Sequence, residues 1–321
     1  KLLNYLVAKV DDCIGPLVDD KISQMKQGDI LMLENVRFHS EEMIDDDEFA
    51  KKLCQGKDLI VFDGFPQAMR IHASTTGIER HLPAVAGLYL MHEVNMLSDL
   101  LENPKRPFTV IIGGAKISDK VDAVNNLLKI ADKVLIGGAV ANVFLKARGH
   151  ELGSSFIEDV FVDEKRREKK DWVVYAKEIL QSYKDKIVYP EDLVISDGVS
   201  TKFINISTEG VPDKWMALDI GHKTQKAFSD IIEKSRTIFL SGPMGKFEDE
   251  KFAPGSKTIL NAMKNVSKNL SGITIIAGGD TIDVARQYTN LDDYSHVSLA
   301  GGATLEFLAG KELPALVPLM E

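Results

Sequence analysis

Apolar runs of strand length recur along the chain, and a longer stretch with helical periodicity follows most of them. The runs at 29–36 (DILMLENV), 59–64 (LIVFDG), 108–114 (FTVIIGG), 133–139 (KVLIGGA), 192–198 (DLVISDG), 237–243 (TIFLSGP), 273–280 (ITIIAGGD) and 296–302 (HVSLAGG) read as strands. Most end in Gly, Ser or Asp. Continuous apolar strands alternating with helices predict parallel sheets covered on both faces, an α/β doubly wound layout. Such sheets bind ligands outside the carboxyl ends of their strands, so function is expected at the glycine-rich strand ends.

The pattern changes near MHEVNMLSDLLENPKRPFTV (91–110). Helical periodicity runs from Glu93 to Glu102, Asn103-Pro104 stops it, and Pro107 precedes a new strand. This predicts a partial first domain over 1–89, a connecting helix over 90–104, a fuller second domain over 105–310 and a tail over 311–321. The length of 321 residues with 44% hydrophobic side chains suits two cores. The opening KLLNYLVAKVDDCIG has an amphipathic helix pattern and no initiator methionine, so a preceding N-terminal piece is expected. The charge blocks EEMIDDDE (41–48) and KRREKKD (165–171) read as solvated helix faces.

The net charge of −9 argues against a partner bound through a nucleic-acid backbone, so any anionic ligand needs a local positive site. Two cysteines, Cys13 and Cys54, in no C-x-x-C spacing support neither a disulfide framework nor a thiolate metal site, and fit a reducing cytoplasm. The longest apolar run, Leu82 to Met91, is about half of the ~20 residues a membrane span needs.

Four glycine-rich stretches could supply the positive site. In GGAKISDK (113–120), two lysines four residues apart repel on a helix face unless an anion lies between them. Strand-end glycines there free backbone amides, and a helix start adds partial positive charge, so phosphate is the natural ligand. AGGDTIDVAR (277–286) presents Asp280 beside a glycine turn, with Thr281 at an N-cap position; an Asp beside phosphate is a usual way to hold Mg²⁺. SLAGGATLEFLAG (298–310) offers a further glycine turn into a helix. SGPMGKFEDEKFAPGS (241–256) contributes Glu248, a candidate for a ribose hydroxyl. No P-loop or dinucleotide fingerprint explains these turns. Ahead of them, Arg37 and Arg70 stand beyond strands, and guanidinium suits forked recognition of carboxylate or phosphate. His72 reads as structural.

Taken in order, VDDCIG, GDILMLENVRFHSEE, RIHAST, GGAKISDK, WMALDIG, GPMGKFE, GGDT and HVSLAGGATLEFLAGKELP resemble the phosphoglycerate kinase family over nearly the whole chain. The resemblance implies two Rossmann-like domains with parallel sheets joined by a helix, the first incomplete here. It implies reversible, Mg²⁺-dependent phosphoryl transfer from 1,3-bisphosphoglycerate to ADP, giving ATP and 3-phosphoglycerate, by a monomer with neither nucleic acid nor membrane as partner. It gives Lys120 the transferred phosphoryl group and Lys116 the nucleotide phosphates. Gly278, Gly279, Asp280 and Thr281 bind the nucleotide phosphates, with the metal on Asp280. Glu248 holds the ribose, Gly137, Gly138, Ala217 and Leu218 flank the adenine, and Arg37 and Arg70 bind the glycerate. Gly301 and Gly302 meet the transition-state phosphate. Closure of the two domains then excludes water from the acyl phosphate.

The chain departs from the family pattern in places. The family's D-x-N and H-x-G-R-P motifs are not among these residues, Met69 replaces a basic residue, Ser241 replaces an asparagine, and Leu299-Ala300 stand in the T-G-G-G-A turn. A polypeptide of these residues is therefore expected to turn over weakly or not at all. A nucleotide-binding homologue without kinase activity is the second reading.

Overall fold

Six parallel strands form the main sheet, in the spatial order His296–Ser298, Ile273–Ala277, Thr237–Ser241, Phe108–Ile112, Lys133–Ile136 and Ile187–Val188. Numbered along the chain this is the order 6-5-4-1-2-3 of a doubly wound sheet. The computed structural model describes residues 6–163 and 168–319. Their contacts separate into two units: the described residues of Lys1–Val94 with Glu312–Glu321, and Asn95–Lys311. The division falls within the helix Leu88–Glu102, and the segment after Lys311 clusters with the first unit.

The two central strands, Phe108–Ile112 and Thr237–Ser241, are buried at every position, as expected of strands with helices on both faces. Thr109 is tolerated there because its hydroxyl and that of Ser235 share a 2.7 Å hydrogen bond. Covering helices present apolar residues at spacings of three and four. Val121–Ile130 buries Val121, Val124, Leu127 and Leu128, and Pro254–Asn269, opened by Pro254 in its first turn, buries Ile259, Leu260, Met263 and Val266. One core cluster joins the second of these helices to Ile111, Leu135, Ile238 and Ile276 of the sheet.

The run at 192–198 departs from the parallel reading. Asp192–Ser196 is the middle strand of a separate antiparallel sheet, between Thr201–Asn205 and Met216–Ile220. Asp197-Gly198 is the cause: the Asp197 carboxylate accepts from the Val199 and Ser200 amides at 2.9 and 2.7 Å, and Gly198 takes φ +93°. An Asp-Gly pair between apolar runs is a hairpin signal.

In the first unit two short parallel pairs form, Val7–Lys9 with Ile30–Met32 and Ile60–Phe62 with Ala84–Ala86. Val7–Lys9 is strand where the opening pattern suggested helix; residues 1–5 lie outside the described part. These strands are not the buried ones expected, since Val7, Ile30, Met32, Val61 and Val85 are all exposed. A small core gathers Cys13, Phe49, Ala50, Leu53 and Ala73. The charge block 41–48 is only partly helical: Asp46 caps the helix Asp47–Cys54 by accepting from the Phe49 amide at 2.8 Å. Glu42 is not solvated at all, being 1% exposed and bound to the Ser74 amide and hydroxyl at 2.8 and 2.6 Å. Of the block 165–171, residues 165–167 lie outside the described part, Glu168–Asp171 is strand, and Asp171 caps the helix Trp172–Ser182.

Candidate active site

Strands Phe108–Ile112 and Thr237–Ser241 are neighbours at the point where the strand order reverses, so their crossovers leave in opposite directions and open a crevice at their carboxyl ends. Glycines let the backbones close beneath it. A Cβ built on Gly113 would lie 2.2 Å from the Pro243 carbonyl oxygen, and one on Gly138 would lie 2.6 Å from the Gly114 nitrogen. This corrects the reading of free phosphate-binding amides. Gly113 N–H donates to Ser241 O, Gly114 N–H to Pro243 O, Gly137 N–H to Ile112 O and Gly138 N–H to Met244 O, at 2.7–3.0 Å. The first two glycine pairs of the sequence therefore serve backbone packing.

The lysine pair is likewise not a helical i, i+4 pair. Residues 113–120 form an irregular loop, and the helix starts only at Val121, with Lys120 in the N-cap position. Lys116 is exposed; Lys120 is partly buried, its Nζ turned back to within 3.4 Å of where a Gly114 Cβ would stand. Burial lowers the Lys120 pKa, and attraction to Asp119, Asp280 and Glu158 opposes that shift. Glu158, to which no motif pointed, accepts from the Ile117 and Ser118 amides at 2.6 and 3.0 Å and from the Ser118 hydroxyl.

A cavity of about 280 Å³ opens between the sheet ends and the antiparallel sheet. Gly138, Ala217, Leu218, Glu248 and Asp280 line it, so five of the sequence candidates meet there; Gly137 sits behind it against Met244. Asp219 lines it too and was missed by sequence reasoning. Burial pushes its carboxyl up to about 7, despite 2.7 and 2.9 Å hydrogen bonds from the Gly255 and Ile220 amides.

The third glycine pair differs from the first two. Gly278, at φ +93°, caps the helix Gly279–Tyr288, and no atom lies within 4 Å of a Cβ on Gly279. The first amides of a helix have no intrahelical acceptor, so this end presents N–H groups and partial positive charge beside Asp280, which is exposed. Thr281 is not the N-cap. It is buried in the first turn, and its hydroxyl accepts from the Gly242 amide at 2.7 Å, tying this helix to the crevice floor. Gly301, at φ +52°, precedes the short helix Gly302–Leu308, with open space at its Cβ position.

In the first unit Arg37 and Arg70 are exposed, and among the described residues neither makes an ion pair. Asn35 orders the turn carrying Arg37 by accepting its amide, and the Arg37 guanidinium donates to the Gln67 side chain at 2.8 Å. His72 Nδ1 stands 3.6 Å from Glu42, too far for a hydrogen bond. Asp12, Cys13 and His39 also cluster. The Cys13 thiol is buried and pushed up to about 11, and Asp12 and His39 bond each other at 2.8 Å. Asp12 and His39 are partly exposed and satisfied by each other, with Cys13 buried beneath them in the small core. Among the described residues no helix is long and apolar enough to cross a membrane.

Residues 1–311 match the family profile described as phosphoglycerate kinase. The phosphoglycerate kinase of Moorella thermoacetica is 41% identical over all of this chain and 79% of that protein. The chloroplastic phosphoglycerate kinase of Volvox carteri is 40% identical over all of this chain and 68% of that protein. Among solved structures, phosphoglycerate kinase from Coxiella burnetii superposes with a TM-score of 0.82 at 31% identity, covering 98% of this chain and 77% of that one. The enzyme from Pyrococcus horikoshii OT3 gives 0.85 at 33% identity, covering 99% and 79%.

Proposed function

Since this chain belongs to the phosphoglycerate kinase family and has that family's function, phosphoryl transfer between 1,3-bisphosphoglycerate and ADP, we propose which of its residues carry out the transfer. The cavity beside the sheet switch point takes the nucleotide. Its apolar wall, with Gly138, Ala217 and Leu218, accepts the adenine, and Glu248 accepts a ribose hydroxyl. The phosphates run toward the start of the helix Gly279–Tyr288, where the amides of Gly279 and Asp280 can donate to them. Thr281 contributes through Gly242 by holding that helix in place.

Lys116 neutralises nucleotide phosphates, and Lys120 meets the transferred phosphoryl group. The observation that carries this reading is Lys120 itself: a partly buried ammonium beside the crevice, its Nζ turned back toward Gly114. Phosphoryl transfer asks little covalent chemistry of a protein, and it rewards positive charge placed on the equatorial oxygens of the moving group. Gly301 and Gly302 can add backbone donors to those oxygens. The exposed Asp280 carboxylate beside the phosphate path fits Mg²⁺, a cation held by few carboxylates together with substrate phosphate and water. When bound, the metal would neutralise charge on the phosphates. Arg37 and Arg70, exposed and outside any ion pair among the described residues, bind the glycerate phosphate and carboxylate. A polypeptide of these 321 residues is proposed to bind nucleotide and turn over slowly, because Met69, Ser241 and Leu299-Ala300 each stand where the family pattern has a substrate or phosphate contact. Robust ATP formation by that polypeptide would overturn this last point.

Lys120→Ala tests the central assignment. Turnover should fall about 100-fold or more, as when other transition-state donors are removed, with nucleotide affinity changed far less. Unchanged turnover would remove Lys120 from the transfer.

A further inference from the structure

We infer that Glu158 is a positioning residue for the transfer: it anchors the loop between Lys116 and Lys120. The inference rests on the role given to Lys120 above.

The start of the loop is held by the Gly113 and Gly114 bonds to the neighbouring strand end, and beyond them Glu158 is its tether. Residues 113–120 belong to no helix or strand, and Lys116 points to solvent. One carboxylate collects the Ile117 amide, the Ser118 amide and the Ser118 hydroxyl, so both of its oxygens are used on two consecutive residues of the loop. Charge-assisted bonds of this kind are about twice as strong as neutral ones. Ile117 is 1% exposed, which pins the same residues from the apolar side. Lys116 and Lys120 thus leave a fixed centre in opposite directions along the chain. Glu158 comes from about 40 residues downstream, from the segment that also brings Phe156 to the cavity wall.

Its second effect is electrostatic. Attraction to three carboxylates, Asp119, Asp280 and Glu158, opposes the effect of Lys120's burial without cancelling it. Asp280 and Asp119 are exposed, whereas Glu158 is locked in place. Removing its charge lowers the Lys120 pKa, so a smaller fraction of the enzyme carries the ammonium at alkaline pH.

The test compares kcat against pH for Glu158→Gln, Ser118→Ala and Lys120→Ala in the full chain, with amine labelling of Lys120 followed by mass spectrometry. Gln keeps the shape and can still accept amides. Glu158→Gln should lower kcat on the order of tenfold through lost positioning of the loop, and move the alkaline limb and the labelling midpoint to lower pH. Ser118→Ala should raise KM for the nucleotide and leave the limb in place. An unmoved limb and wild-type kcat in Glu158→Gln, with Lys120→Ala inactive, overturns the inference and leaves the Lys120 assignment standing. Full turnover in Lys120→Ala brings down both. Should Glu158→Gln fail to fold, Glu158→Asp replaces it: charge kept and anchoring weakened, so KM rises with the limb fixed, and an unchanged KM overturns the inference.

Discussion

Gly113→Ala is the sharpest probe of the crevice. The added methyl would sit 2.2 Å from the Pro243 carbonyl oxygen, 2.6 Å from that of Gly242 and 2.6 Å from Met244 Cε. The methionine tip can swing away, but the two carbonyls belong to the backbone at the end of the neighbouring central strand. They can yield only by separating the strand ends, which loosens the bonds from Gly113 to Ser241 and from Gly114 to Pro243, 2.9 and 2.7 Å long. Overpacking a close-packed site costs about 1–3 kcal/mol. Two weakened hydrogen bonds add on the order of 1 kcal/mol. The expected loss is about 2–4 kcal/mol, which at a urea m-value of about 3 kcal/mol/M shifts the midpoint by about 1 M. Both tryptophans, Trp172 and Trp215, lie in the second unit, so their fluorescence reports its unfolding alone. Gly279→Ala is the control, since a methyl there meets no atom within 4 Å. Equal midpoints for Gly113→Ala and wild type would refute the interlocked-backbone account.

Two further outcomes follow from charge. Glu79, whose carboxylate oxygens are buried without a hydrogen-bond partner, is pushed up to about 7 by burial. A carboxyl raised above its ordinary 4.5 costs stability as pH climbs from 4.5 to 7. Glu79→Gln should therefore melt higher than wild type at pH 8 by about 1–2 kcal/mol, discounted for partial exposure, with the gain vanishing near pH 4.5 in circular dichroism melts. A gain that persists unchanged at low pH would contradict the burial argument. Asp280→Asn should weaken nucleotide binding measured with Mg²⁺ by calorimetry and leave metal-free binding unchanged or tighter, because a negative charge near the phosphates is lost; equal loss in both would remove Asp280 as the metal ligand.

Much of the second unit was legible because its strands are buried on both faces and bounded by glycine. Five nucleotide candidates, Gly138, Ala217, Leu218, Glu248 and Asp280, share one cavity even though they come from four separate stretches of chain. What the residues could not reveal was the role of each glycine. Gly113-Gly114 and Gly278-Gly279 look alike in sequence, yet the first pair donates its amides to a neighbouring strand end and the second caps a helix facing the cavity. That difference depends on the strand 129 residues away that pairs with Phe108, Thr237 being its register partner. Glu158 was invisible because an isolated acidic residue has no signature until the loop it serves is folded, and Asp219, although inside WMALDIG, showed no cavity role until the fold placed it. The Asp197-Gly198 hairpin, by contrast, is written locally, in the Asp-Gly pair itself.

The strand order also governs how the chain must be made. Phe108–Ile112 is the first strand of its unit to leave the ribosome, and its partner on one side is Lys133–Ile136, soon available. Its partner on the other side is Thr237–Ser241, some 130 residues later, which at about 5–20 residues per second arrives on the order of ten seconds afterwards. Through that interval a largely apolar strand, bound for full burial, keeps one edge open. The crevice proposed to hold the nucleotide, whose floor is that same junction, cannot exist until the wait is over, so a ligand bound there cannot assist the early steps of folding. Long-range parallel pairing of this kind makes for slow folding and a nascent chain that needs shielding from its neighbours.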